Sequence, residues 1–300
     1  VTEQWHFLET IPNLFSVWEG SPKWKCSDFI GWRTIARRNV ALLEALKWGA
    51  DVIVTIDDDN IPVNRFYFPN IRHPIEYGFQ GIMVDETEWF DVGTLLDPVA
   101  SHRGFPYDRK QVPSFTSVTG ARVGVAAGIC LGDPDISAAT RMVSGPVSHR
   151  VSELLRAGIV VDPRRTRTVF NSQNTAFIRE LAPCFLMVPS YGRYDDIYAS
   201  LVAQRVMRER GLSTHFGQPF VWQQRNPHNL LSDLRAEQWG AEHVLEFAQW
   251  LDGFLGQHDV IGFLRVMATN LPKFIPSGTQ ELWLAWLDDC ERVMGKEYYA

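Results

Sequence analysis

The sequence predicts an α/β fold, and three observations carry that prediction. A helix-period run over 35–48 stops at Gly49 and is followed directly by a short β-branched run over 51–56. That run ends on Asp57, Asp58 and Asp59, and ligand sites in open α/β sheets lie at the carboxyl ends of strands. Further on, helix-period and strand-like segments keep alternating, as in a layered α/β domain.

Each element has its own signal. In 35–48, Ile35, Val40, Leu42, Leu43 and Leu46 recur at mixed three-four spacing. The run 51–56 is short, mostly apolar and β-branched, which predicts a buried strand with parallel neighbours. Prolines 62, 69, 74, 98, 106, 113, 134 and 146 predict a loop-rich stretch to about residue 150, with short strands such as 122–127. The segment 147–158 reads as a short helix with Ser148 as N-cap and Gly158 as stop. RTVFNSQNTAFIREL reads as strand, turn and helix start. The segment 194–211 is a helix with Asp195 and Asp196 in its first turn and Arg208, Arg210 and Gly211 at its end. HFGQPFVWQ is a strand, and from about Ala236 the chain becomes two or three amphipathic helices. These divide the chain into a domain over 1–235 and a helical C-terminal extension over 236–300, expected to pack and to support homo-oligomers.

Composition excludes several classes. A 45% hydrophobic and 21% charged content is that of an ordinary soluble chain, and no apolar run reaches the roughly 18 residues of a membrane span. The start, VTEQWHFLET, has no signal-peptide pattern. Cys26, Cys130, Cys184 and Cys290 form no C-x-x-C pair, so they read as reduced thiols in a cytoplasmic protein. A net charge of −6 argues against general nucleic-acid binding.

Several groups can carry chemistry. Three adjacent carboxylates repel one another unless a cation neutralises them, and Mg²⁺ or Mn²⁺ takes oxygen ligands shared with phosphates. Along an extended segment Asp57 and Asp59 would face one ion together; the same triplet also fits a solvated acidic turn. Asp195 and Asp196, after Tyr191, Gly192, Arg193 and Tyr194, fit either a site or simple dipole stabilisation of a helix start. His228, in a polar loop, is a candidate further metal ligand or a solvated imidazole. Arg103, Arg150, Arg164, Arg165 and Arg167 supply planar forks suited to a diphosphate, or a solvated basic face.

These pieces stand in an order that resembles the UDP-arabinopyranose mutases, also called reversibly glycosylated polypeptides. The matching stretches are VTIDDDN (54–60), RGFP (103–106), GICLGDPDISAAT (128–140), NTAFIREL (174–181), GRYDDIYASLVAQ (192–204) and GLSTHFGQPFVW (211–222). The resemblance implies a glycosyltransferase-A-like, Rossmann-like mixed sheet with flanking helices. It also implies a nucleotide-diphosphate sugar substrate, and Mn²⁺ or Mg²⁺ on Asp57, Asp58 and Asp59 with His228 as a further ligand. The reaction it implies is flavin-free interconversion of pyranose and furanose rings. A bacterial antibiotic-biosynthesis branch acting on GDP-sugars is similar too, so a GDP-sugar is expected first and a UDP-sugar next. The implied binding residues are Arg103, Asn174, Arg193, Tyr194 and Arg167. The family's glycosylated arginine falls nearest Arg150, in SGPVSHRVSE, beside His149. Family members carry a longer stretch before the aspartate strand, including a first nucleotide-binding strand. Here 56 residues precede Asp57, so the chain is either truncated or builds its base pocket differently.

With that chemistry, arginines and a metal would stabilise a nucleoside diphosphate as leaving group, and the anomeric carbon would become oxocarbenium-like. Asp195 or Asp196 would hold sugar hydroxyls or move a proton between them. Trp32, Phe105, Tyr191 and Tyr194 would shield the site from water, or simply pack the core. Two other readings use the same residues: a glycosyltransferase with an external acceptor, and a non-catalytic scaffold partner.

Overall fold

The computed structural model describes residues 24–85, 87–109, 112–145, 147–254 and 259–295. The N-terminal stretch 1–10 and Pro146, both used above, lie outside them. In chain order the elements are α1 (Ser27–Ile30), α2 (Arg38–Lys47), β1 (Val52–Ile56), β2 (Asn60–Pro62), α3 (Tyr67–Tyr77), β3 (Phe79–Asp85), β4 (Trp89–Phe90), β5 (Leu96–Asp97), β6 (Ser114–Ala121), β7 (Val123–Gly132), α4 (Ala138–Val143), β8 (Arg150–Val151), α5 (Glu153–Ala157), β9 (Ile159–Val161), β10 (Arg167–Thr168), β11 (Asn174–Ile178), α6 (Asp195–Arg210), β12 (Ser213–Gln223), α7 (Leu230–Asp252), α8 (Val260–Thr269) and α9 (Thr279–Met294).

The main sheet runs β1-β11-β7-β12-β9-β3-β6, with β2 attached to β12. Strand β12 is parallel to β7, and β3 is parallel to β9; the remaining pairs in this sheet are antiparallel. This is the mixed, helix-flanked α/β sheet that the sequence predicts, and it is consistent with a glycosyltransferase-A-like fold. Beyond a register break between Gly217 and Phe220, β12 exchanges β9 for β2 as its neighbour. Residues 221–223 of β12 thereby come to lie beside the segment that follows Asp57–Asp59.

Strand β1 corrects the expectation of parallel pairing. It runs antiparallel to β11 and forms the sheet edge among the described residues, with only Ile53 fully buried. An apolar run reports burial but not pairing direction, and Val54 and Thr55 are half-buried.

The proline-rich stretch is more ordered than predicted. Pro69 sits in the first turn of α3, where a missing N–H costs no helical bond. The predicted strand over 122–127 is the start of the longer β7, one of the most buried strands of the sheet. Its neighbour in sequence, β6, alternates half-buried and exposed residues with period two.

The short helix near 150 begins later than expected. Its N-cap is Ser152, whose Oγ accepts Leu155 N at 3.2 Å, and Gly158 ends it. Ser148 instead exchanges backbone hydrogen bonds with Gly132, which draws 148–151 onto the sheet as an extended segment.

Among the described residues the C-terminal helices are three, and the first begins at Leu230, several residues before the expected start. They share one hydrophobic cluster with the sheet and α6, running from Trp24 to Met294. Trp286 is fully buried and donates from Nε1 to the Pro183 carbonyl at 2.8 Å; Asp289 accepts the Cys26 N–H at 2.9 Å. Among the described residues no helix is long and apolar enough to cross a membrane.

Candidate active site

The three aspartates form a tight turn rather than an extended run. Asn60 N–H donates to the Asp57 carbonyl at 3.1 Å, and Asp57 N–H donates to the Gln173 carbonyl at 3.0 Å. The turn holds Asp57 and Asp59 half-buried and leaves Asp58 exposed. Across it, Gln224 N–H donates to the Asp59 carbonyl at 2.9 Å, and Gln223 Nε2 lies 3.5 Å from Asp59 Oδ2. The β2–β12 pairing therefore fixes the turn from one side, and Gln173 fixes it from the other.

Arg38, the first residue of α2, reaches Asp57 with one guanidinium nitrogen and Ser172 Oγ with another, at 2.7 Å. Burial raises the Asp57 pKa, Arg38 lowers it, and the nearby charges of Asp196 and Asp59 raise it again. The acidic turn and the start of α6 thus feel one another electrostatically.

At that helix start, Asp195 and Asp196 are both buried. Asp196 accepts the Ser172 N–H at 3.2 Å and faces the Arg103 guanidinium at 3.2–3.3 Å. Asp195 accepts the Asp196 N–H at 2.8 Å, but its Oδ2 is buried with no partner. Burial and the neighbouring Asp196 push its pKa up to about 7, which leaves it able to bind or release a proton near neutrality.

Arg103 locks the floor. It binds Asp135 bidentately, Nε–Oδ1 at 2.9 Å and Nη2–Oδ2 at 2.8 Å, and donates to the Arg193 carbonyl. Burial works against the Asp135 carboxylate, but Arg103 and His102 outweigh it and hold the pKa well below the usual range. Asn171 Nδ2 adds a 3.0 Å bond to Asp135 and lies 3.3 Å from His102 Nε2.

Gly192 brings α7 over this floor. Its φ of 60° lies in the left-handed region, and a Cβ there would stand 2.2 Å from the Ala236 carbonyl oxygen. The close approach lets Arg193 bond Glu237 at 3.1 Å and Asp233 at 3.5 Å.

The other predicted residues divide by position. Tyr194 is buried under the Arg103 guanidinium, 6.0 Å from its ring centroid. Asn174 is a buried strut, donating to the Pro219 carbonyl at 3.1 Å and accepting Tyr67 Oη at 2.8 Å. His228 is exposed, with Nδ1 3.0 Å from Asp233. Arg150 is exposed, 3.7 Å from Asp97, while its neighbour His149 stacks near Trp222 at 6.0 Å. Arg167 lies away from the acids, paired with Asp252 and Glu88 and 5.8 Å from the Trp89 ring centroid. Arg164 and Arg165 are paired with Asp162 and Asp85. Of the aromatic residues, Phe105 and Tyr191 are buried, and Trp32 is exposed under the Arg37 guanidinium.

Sequence reasoning missed Arg38, Asp135, Gln173 and Gln223. Asp135 stands inside the GDPD stretch, and that spacing was the available signal. Arg38 read as part of a helix pattern, and glutamines carry no motif of their own.

Five buried side-chain oxygens near the turn have no hydrogen-bond donor: Asp59 Oδ1, Asn60 Oδ1, Gln173 Oε1, Gln223 Oε1 and Asp195 Oδ2. Buried acceptors left without donors are costly, and an all-oxygen set suits a hard divalent cation. Among the described residues, no group of three or more His, Cys, Asp or Glu is close enough to hold a metal by protein carboxylates and imidazoles alone.

Residues 32–256 match the family model described as "Reversibly glycosylated polypeptide". The chain belongs to this family. Among curated relatives, "Probable UDP-arabinopyranose mutase 2" of Solanum tuberosum and "UDP-arabinopyranose mutase 1" of Oryza sativa subsp. japonica are each 28% identical over 210 residues. The alignments cover 66% of this chain and 54% of each relative. "UDP-arabinopyranose mutase 1" of Arabidopsis thaliana is 27% identical over a similar span. The chain spans about half the length of the curated relatives it matches. The span matched by the family model contains the aspartate turn, Arg103 and the Asp195–Asp196 pair.

Proposed function

We propose that this chain is a nucleotide-sugar mutase that interconverts the pyranose and furanose forms of a sugar bound through a diphosphate. The carrying observation is the buried Asp195, with a pKa near 7, set beside the acidic turn in a chain of this family. Relatives named as UDP-arabinopyranose mutases support the reaction class. A GDP-sugar is the first substrate to try and a UDP-sugar the second.

Asp57, Asp59 and the Gln223 amide oxygen would hold a Mn²⁺ or Mg²⁺ ion, because these oxygens stand at the turn and two of them lack donors. When bound, such an ion neutralises charge on the diphosphate oxygens. Asp58, exposed on the turn, and His228, bonded to Asp233, would act at the rim as further ligands. Asp195 would exchange a proton with the sugar hydroxyl that closes the new ring. Asp196, fixed by Arg103 and the Ser172 N–H, would orient the sugar. Arg193 and Tyr194 would contribute through the wall they form with Glu237 and Arg103. Asn174 would support β11 behind the site. Arg150 would lie at the edge beside His149 and Trp222, and Arg167, paired with Asp252, would act away from the acidic turn. We place the enzyme in the cytoplasm, as a homo-oligomer built through its helical tail, with no nucleic-acid or membrane partner.

The test is incubation with Mn²⁺ and a panel of UDP- and GDP-sugars without acceptor, followed by chromatography with mass detection. A new peak of unchanged mass, lost in chelator and in Asp59→Ala, is expected. Free nucleoside diphosphate as the only product would replace the mutase by a transferase or hydrolase.

A further inference from the structure

Most arginines near the acidic turn and the start of α6 carry their own acid. Arg38 has Asp57, Arg103 has Asp135 and Asp196, Arg141 has Asp133, and Arg193 has Asp233 and Glu237. Arg225 differs. It is half-buried, its Nε is shut off from solvent without a partner, and it makes no ion pair among the described residues.

Its position follows from the strand register. Gln223 pairs with Asn60, and Gln224 N–H donates to the Asp59 carbonyl, so Arg225 leaves the strand directly beside the acidic turn. It nevertheless pairs with none of the three aspartates. Burial works against its charge; Arg141 and Arg193 repel it, and Asp135 and Asp133 draw it back. A desolvated guanidinium held next to two others gains when an anion arrives, and its planar fork binds two oxygens at once.

We propose that Arg225, backed by Arg141 and Arg193, is an anion anchor beside the acidic turn and takes the diphosphate of the nucleotide sugar. The assignment of the anion to a nucleotide sugar rests on the mutase reading; the anchor itself rests on the unpaired guanidinium. Arg141 and Arg193 keep one positive charge each largely balanced, so the uncompensated charge belongs to Arg225. A diphosphate reaches both this charge and the turn a short distance away.

The experiment is calorimetric titration of the full chain in chelator with inorganic pyrophosphate and, separately, inorganic phosphate. Wild type, Arg225→Gln and Arg225→Lys are compared, with thermal unfolding of each. Wild type is expected to bind pyrophosphate more tightly than phosphate. Arg225→Gln should weaken pyrophosphate by about tenfold to a hundredfold, the worth of charge-assisted hydrogen bonds, and Arg225→Lys should recover part of it. Unfolding temperature should hold or rise in Arg225→Gln, because the residue it replaces is unpaired. Equal pyrophosphate binding by wild type and Arg225→Gln, no binding by wild type, equal binding of phosphate and pyrophosphate, or a marked fall in unfolding temperature would each overturn the anchor. If wild type binds pyrophosphate through Arg225 but isomerises no nucleotide sugar, the mutase reading falls and the anchor stands. If wild type isomerises a nucleotide sugar and Arg225→Gln does so with unchanged KM, the reverse holds.

Discussion

Asp135→Asn isolates the energetics of the buried floor. The wild-type carboxylate meets Arg103 with two bonds under 3 Å, and both side chains are almost wholly buried. The substitution keeps the shape but removes one of the two carboxylates facing a buried cation. Breaking a buried pair by removing one partner costs about 3–5 kcal/mol. Asp196 still faces Arg103 at 3.2 Å, so the lower end, about 3 kcal/mol, applies. For a chain of 300 residues the unfolding entropy is about 0.6 kcal/mol/K, which converts that loss into a fall in Tm of about 5 °C. Scanning calorimetry at pH 7 measures it. Because the folded pKa of Asp135 is depressed, its contribution is complete above the unfolded carboxylate pKa and fades as pH falls through the folded value. The gap between variant and wild type should therefore be constant from pH 5 to pH 8 and narrow only in stronger acid. A change in Tm below about 1 °C at pH 7 would refute the argument that Arg103 depends on Asp135.

Other predictions follow from single groups. Burial lowers the His215 pKa to about 4, so the unfolded chain takes up the proton first as pH falls below about 6.5. Stability should drop by about 2–3 kcal/mol between pH 7.5 and pH 4.5 from this group, and the drop should shrink in His215→Phe; urea titrations giving equal drops would exclude it. The raised pKa of Asp195 predicts that conversion falls as pH decreases below about 7, and that Asp195→Asn loses at least about a hundredfold in rate; a flat profile from pH 5.5 to 8.5 would remove Asp195 from proton transfer. A Cβ at Gly240 would lie 2.2 Å from Tyr194 Cγ, so Gly240→Ala should destabilise by about 1–3 kcal/mol and slow turnover by displacing the start of α6; an unaltered Tm would mean that Tyr194 yields freely.

Several elements were determined by local chemistry and could be read directly. Helix α6 carries its acids in the first turn and Gly211 at its end, and it stands within a residue of the predicted span. Helix α2, strand β12 and the helical tail were set by apolar periodicity and run length. The acidic triplet at a strand end was likewise visible, since three carboxylates together need either water or a cation. Tertiary structure decided what those residues face. The pairing direction of β1, the turn that separates Asp58 from Asp57 and Asp59, and the order in α3 despite Pro74 in its interior all depend on neighbours distant in sequence. Asp135 meets Arg103, and Ser172 meets Arg38, only because loops from different strands converge on one end of the sheet. Arginines illustrate the division most clearly. Sequence reports their number and their charge, but whether each is already neutralised depends on which acids the fold brings within reach; beside the acidic turn Arg38 has Asp57, while Arg225 has no acid of its own among the described residues.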